Sequence, residues 1–284
     1  MSALPLTGGG LPRTVLRLHR PALLTWIVFV AGVSGWLVWL TEVAAKDPDR
    51  QGLPCIDACA STTGFTYPLE MMWAGALVGY GFVAVAAFAG GALIGRELES
   101  GTAHLAWTQG ITPARWLTAK LALPALAVTA GGTVLVLVYR WAFAAHPDLL
   151  QQEWPDANAF TARGPLAVAY ALCALAVGTL TALLLRRTLA ALGVAAAAMW
   201  LLNAVLTYCR PHLWPAVTRT GPHALDWPDR TWLVARGKNT HGYFVSYQPE
   251  SHYLPLHLTE TAIVLTVGVL ATVLCFRLLR QRAG

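Results

Sequence analysis

Six long apolar runs alternate with polar segments along the chain, near residues 21–40, 71–95, 121–139, 165–185, 188–208 and 259–277. At about 1.5 Å of rise per helical residue, each run can cross a hydrocarbon layer about 30 Å thick. The pattern predicts an all-α integral membrane fold of six transmembrane helices. It divides the chain into a polar N-terminal segment (1–20), a six-span domain (21–277) and a short tail (278–284). Two polar stretches interrupt the spanning domain, a charged island at 96–120 and a long segment at 209–258. An even number of spans puts both termini on one side.

Composition agrees with this class. The chain is 56% hydrophobic and 12% charged, whereas soluble domains carry about a quarter charged residues. Its mean hydropathy is +0.53. A net charge of +6 would point to nucleic acid in a soluble protein. In a membrane protein the positives mark the cytoplasmic side instead. One set of connecting segments holds Arg13, Arg17, Arg20, Arg96, Arg115, Lys120, Arg186, Arg187, Arg277, Arg280 and Arg282, with only Glu97 and Glu99 acidic. The opposite set is longer and carries Glu42, Asp47, Asp49, Asp57, Asp148, Glu153, Asp156, Asp226, Asp229 and Glu250. This bias predicts a multi-pass plasma-membrane protein with both termini cytoplasmic. The first run is longer than the apolar part of a cleaved signal peptide and carries Trp26, Trp36 and Trp39, so it reads as a retained span. Before it, Arg13, Arg17 and Arg20 recur at helical spacing, which fits either a basic amphipathic helix on the inner leaflet or a plain charged flank.

Within the spans, Gly75 with Gly79 and Gly91 with Gly95 form small-xxx-small pairs that favour close helix approach, inside the protomer or across a dimer. Pro124 removes a backbone hydrogen bond near the start of the third span, and Arg186-Arg187 forces a tight hairpin between the fourth and fifth. Asn203 is a polar group inside the fifth span, placed to bond a neighbouring helix. On the outer side Cys55 and Cys59 have the spacing for a local disulfide, with Cys209 as an alternative partner. Cys173 and Cys275 lie in spans and read as inert. The 209–258 segment is dense in Trp and Tyr, as at a membrane–water boundary; it reads as a packed cap over an exit route or a partly re-entrant segment. Its histidines lack metal-ligand spacing, so no metal site is expected.

The chain has no G-x-x-x-x-G-K-[ST] phosphate cradle, no H-E-x-x-H and no G-x-S-x-G. Its span interiors are almost free of ionisable groups, Glu70 and Glu260 lying near the outer ends. Proton-coupled transport usually needs such groups at membrane depth. Energy for any transport must therefore come from elsewhere.

Two stretches carry a family resemblance. Gly95-Arg96-Glu97-Leu98-Glu99-Ser100-Gly101-Thr102, then Trp107-Thr108-Gln109-Gly110, then Arg115-Trp116-Leu117-Thr118-Ala119-Lys120, resembles the first cytoplasmic loop of type-2 ABC transporter permeases. Tyr247-Gln248-Pro249 through Leu258-Thr259-Glu260 is similar to a Y-x-P segment with a glutamate opening the last span in actinobacterial members. It departs from them in having His257 or Leu258 where a glutamine is frequent.

The resemblance implies a coupling helix in the 96–120 loop that sits in a groove of a separate cytoplasmic ABC ATPase subunit. Arg96, Glu97, Glu99, Gly101 and Thr102 are then the ATPase-coupling residues. Glu97 and Glu99 are expected near the start of a short helix, where its dipole favours negative charge, with Gly101 as a stop. Their carboxylates would pair with basic residues of the partner. It also implies a homodimer or a heterodimer with a second permease, ATP bound by the partner, no cofactor on this chain, and export rather than uptake. Spans without buried charge suit an amphipathic or hydrophobic cargo such as a drug, lipid-like molecule, peptide or natural product. The alternatives are an integral-membrane enzyme with its site in 209–258, and a non-transporting scaffold or immunity protein.

Overall fold

A computed structural model describes residues 10–47, 66–108, 112–150, 154–221, 231–239 and 242–283. Cys55 and Cys59 lie outside the described residues. The protein is mostly helical, and six of its helices are long and apolar enough to cross a membrane. In chain order the helices are α1 (Gly10–Glu42), α2 (Tyr67–Phe88), α3 (Arg96–Glu99), α4 (Thr102–Thr108), α5 (Pro113–Ala145), α6 (Ala157–Ala162), α7 (Leu166–Leu185), α8 (Thr188–Cys209) and α9 (Tyr253–Ala283). A π-helical stretch, Ala89–Gly95, joins α2 to α3, so one continuous helical rod runs over Tyr67–Glu99.

The helices outrun the apolar stretches that announced them. α5 begins at Pro113, eight positions before the apolar run at 121, because its start is locally encoded. The Thr112 hydroxyl accepts from the Arg115 backbone N–H at 3.4 Å, and Pro113 follows at the first helical position. Hydropathy marks the part of a helix that meets hydrocarbon; caps mark where the helix begins.

α7 is the hub. Its sequence is apolar on every side, the signature of a helix with no face to water, and it packs against α2, α5, α8 and α9. Close approach needs small residues: a Cβ on Gly178 would lie 2.6 Å from the Ala86 carbonyl oxygen, and one on Gly90 would lie 2.8 Å from that of Ala191. The glycine pairs of the second span are used the same way. Gly75 faces Tyr139, Gly79 faces Thr161, Gly91 faces Leu192 and Gly95 faces Thr188, all within one chain. A second apolar cluster joins α1, the start of α2 and the second half of α5 through Leu37, Leu40, Tyr67, Met71, Leu135 and Tyr139.

The bundle has two ends. At one end lie α3, α4 and the α7–α8 turn, where Arg186 takes a left-handed conformation (φ 52°); this is the junction end. At the other lies a three-stranded antiparallel sheet in the order β1–β3–β2, formed by Val217–Thr220, Gly242–Gln248 and Trp232–Asn239. The 209–258 segment, expected as a packed cap or a partly re-entrant stretch, thus contains a sheet that the apolar pattern did not announce. Trp232, Tyr243, Phe244 and Tyr247, which read as a boundary belt, are aromatic residues suited to strands. Trp232 meets Trp154 edge-on, ring centroids 5.9 Å apart, and so seats the sheet on the bundle.

Candidate functional site

The charged island folds differently from its expected layout. Glu97 and Glu99 do not open a short helix; they end the long rod of the second span, because R-E-L-E continues its helical winding. Gly101 then breaks the rod with a φ of +75°, a conformation that favours glycine, and the short helix α4 starts at Thr102. The Thr102 hydroxyl donates to the Glu97 carbonyl at 3.3 Å, fastening the turn back onto the rod.

Both carboxylates are engaged within the chain. Glu97 pairs with Lys120 of α5, and the lysine is buried, with 7% of its side chain exposed against 21% for the glutamate. Glu99 is exposed but accepts from the Thr188 backbone N–H at 2.8 Å and from the Thr188 hydroxyl. It thereby caps α8, whose own preceding residue, Arg187, offers no side-chain cap. Among the residues this end exposes are Arg96, Arg115, Arg186 and Arg187, together with Leu105 of α4. Trp107 of α4 lies edge-on to Trp116 of α5 at 5.8 Å.

At the sheet end the structure assembles a polar knot that the sequence pattern hides. Arg210, 1% exposed, places Nε 2.7 Å from Glu260 Oε2 and donates Nη2 to Oε1 at 3.0 Å. The Tyr170 hydroxyl donates to the same Oε1 at 3.0 Å. Asn203 of α8 is buried beside that tyrosine, so it meets a neighbouring helix as expected. The guanidinium also lies 4.2 Å from the Phe160 ring centroid. Three helices, α7, α8 and α9, are thus tied through one carboxylate. The available signal was Arg210 at the end of the fifth apolar run and Glu260 at the start of the sixth, but their pairing spans fifty residues of chain.

Two further contacts complete this end. The His257 Nε2 accepts from the Leu166 N–H at 3.2 Å, capping α7, and Gly164 makes room for the ring, since a Cβ there would lie 2.3 Å from Nε2. Gln248 donates to the carbonyls of Pro211 and Trp214, at 3.0 and 2.7 Å, and accepts from His252 Nδ1 at 2.6 Å. Cys209 is a free thiol among the described cysteines. Among the described residues no three His, Cys, Asp or Glu side chains gather as a metal site would require.

Between the ends, toward the junction, α1, α2 and α5 border a half-open groove with a volume of about 910 Å³. Its walls include Trp26, Phe29, Leu77, Tyr80, Phe88 and Leu123. The Trp26 indole N–H is satisfied by the Ala127 carbonyl at 2.9 Å and the Thr25 hydroxyl by that of Pro21. The space therefore suits an apolar guest and lies within the range of small-molecule pockets, about 300–1,000 Å³.

A family profile described as ABC-2 membrane transporter related matches residues 27–210, from the first span through Arg210. No curated protein and no solved structure matches the chain.

Proposed function

From the premise that this chain belongs to the ABC-2 membrane transporter related family, and so is an ABC transporter permease of the plasma membrane, we propose that it is the membrane subunit of an exporter. In this reading a separate cytoplasmic ATPase subunit binds and hydrolyses ATP, and two permease chains form the translocating unit. The junction end faces the cytoplasm, in keeping with the basic character of Arg96, Arg115, Arg186 and Arg187. The sheet end faces outward. α4 is the coupling helix; Arg96, Gly101 and Thr102 place it, and its exposed Leu105 with the surrounding arginines meets the ATPase.

The observation that carries the cargo class is the groove of about 910 Å³ bounded by α1, α2 and α5. Its aromatic and aliphatic walls suit an amphipathic or apolar molecule drawn from the inner leaflet, and offer nothing to a small ion. ATP-driven movement of the junction would then open a path from this space to the sheet end.

The test is to purify the tagged chain from its own membranes and ask whether an ATPase subunit comes with it. The complex, reconstituted into vesicles, is expected to hydrolyse ATP and to move a lipophilic dye. Filling the groove with Ala84→Trp should weaken dye binding about tenfold, the loss of roughly one good apolar contact region. A chain that purifies alone and binds dye equally well after Ala84→Trp refutes both halves of the proposal.

A further inference from the structure

Two helices of the junction depart from regular α winding just inside it. In the second span the winding is π over Ala89–Gly95, immediately before Arg96, with its glycines packed on α7 and α8; π segments recur at functional sites and are places where helices kink. In the third span Pro124 has no N–H to give to the carbonyl four residues earlier, that of Lys120. Proline is a standard site of helix bending. Between these two points lie α3, the Gly101 turn, α4 and the first two turns of α5.

That intervening block is fastened to itself. Glu97 on one side of the turn pairs with the buried Lys120 on the other. Thr102 is bonded back to the Glu97 carbonyl, and Trp107 packs edge-on against Trp116. Glu99 ties the block to the first turn of α8 through Thr188, and Ala103, Trp116 and Leu117 pack into the main apolar core. Lys120 is therefore both the residue whose carbonyl the proline frees and the residue whose side chain the rod grips.

We propose that α3, α4 and residues 113–120 move as one rigid body, hinged at Ala89–Gly95 and at Pro124, with the Glu97–Lys120 pair as the pin that keeps it whole. Glu99 passes the movement of that body to α8. The two acids are positioning residues engaged within the chain, and docking is left to α4 and the arginines. This rests on the transporter reading for its purpose, though the rigid body itself does not.

The experiment compares the parental chain with Glu97→Gln, Lys120→Gln and the swapped Glu97→Lys/Lys120→Glu chain, in nanodiscs of phosphatidylethanolamine and phosphatidylglycerol. Hydrogen exchange of the chain alone reads the pin. Each single variant is expected to accelerate exchange about tenfold in 102–108 and 113–120 together, while the swapped chain returns most of the protection. Unchanged exchange in the single variants overturns the pin. Co-purified ATPase reads the purpose. The subunit should remain at parental stoichiometry in all chains, while hydrolysis falls about fivefold in the single variants and recovers in the swap. Loss of the subunit from Glu97→Gln but not from Lys120→Gln overturns the proposal, because Glu97 would then touch the partner directly. If the parental chain brings no ATPase, the transporter reading fails, and the exchange data still decide whether the body is pinned.

Discussion

Glu97 and Glu260 each bind a basic partner across two helices, one at either end of the bundle, in unlike surroundings. Glu260 is fully buried and accepts from Arg210 twice and from Tyr170 once. Glu97 meets Lys120 with a fifth of its own side chain open. A planar guanidinium fits a carboxylate at two points and fixes its orientation; an ammonium is a point charge on a flexible stem. The sheet end is thus built to hold α7, α8 and α9 in one arrangement. The junction end is built to hold a small block together while the block as a whole can shift. The π stretch and Pro124 both lie toward the junction.

The largest expected effect comes from breaking the dry pair on one side only. Glu260→Gln leaves a buried arginine without its counter-charge, and removal of one member of a buried pair typically costs about 3–5 kcal/mol. The purified protein should lose thermal stability by several degrees, and Arg210→Met combined with Glu260→Leu should recover most of it. If Glu260→Gln melts like the parent, the sheet end is not the fixed end, and the two ends do not differ in this way.

Second in size is the packing that brings the hub against α2. Even Gly178→Ala would place a methyl 2.6 Å from the Ala86 carbonyl, close to the Gly90 backbone. Overpacking of a tight core costs about 1–3 kcal/mol. Because the clash lies midway between the ends, both should loosen, which hydrogen exchange at α4 and at the Leu166 amide reads together. Loosening confined to the junction would show that the hub does not connect the two regions.

How much of this was legible in the chain depends on the range of each interaction. The six spans were readable because hydrocarbon selects apolar length directly: the run 71–95 falls within the Tyr67–Glu99 rod, and 165–185 matches Leu166–Leu185 to within one residue. Gly101 was readable as a break because its chemistry is local. The sheet was not, since Trp232 and Tyr247 suit a strand and a membrane boundary equally well. Nor was the fate of Glu97 and Glu99: the residues that claim them, Lys120 and Thr188, lie 23 and 89 positions away. The Arg210–Glu260 pair was hidden for the same reason. Each partner sits at the polar margin of an apolar run, where an isolated charge ordinarily meets water.

A smaller effect is expected at the cap of α7. His257→Leu keeps the bulk against Phe160 and Tyr253 but removes the acceptor for the Leu166 N–H. Loss of such a cap costs about 1 kcal/mol. The Leu166 amide should exchange faster, while α4 and the start of α5 keep their parental protection. Acceleration at both ends would mean that the sheet end is less independent than the Arg210–Glu260 tie implies.

The smallest effect should come from an ion pair of similar chemistry in a different place. Glu42 and Lys46 lie one turn apart at the end of α1, their side chains 54% and 65% exposed, at a separation of 3.3 Å. Water screens both charges and holding two long side chains costs entropy, so such a pair contributes about 0–0.5 kcal/mol. Glu42→Gln should leave the melting temperature unchanged within error in low and high salt alike. Set beside Glu260→Gln, it isolates burial as the variable: the charge removed is the same, and only the water around it differs. A comparable loss from Glu42→Gln would show that the sheet end responds to any lost carboxylate, and that the dryness of the Arg210–Glu260 pair is not what makes it rigid.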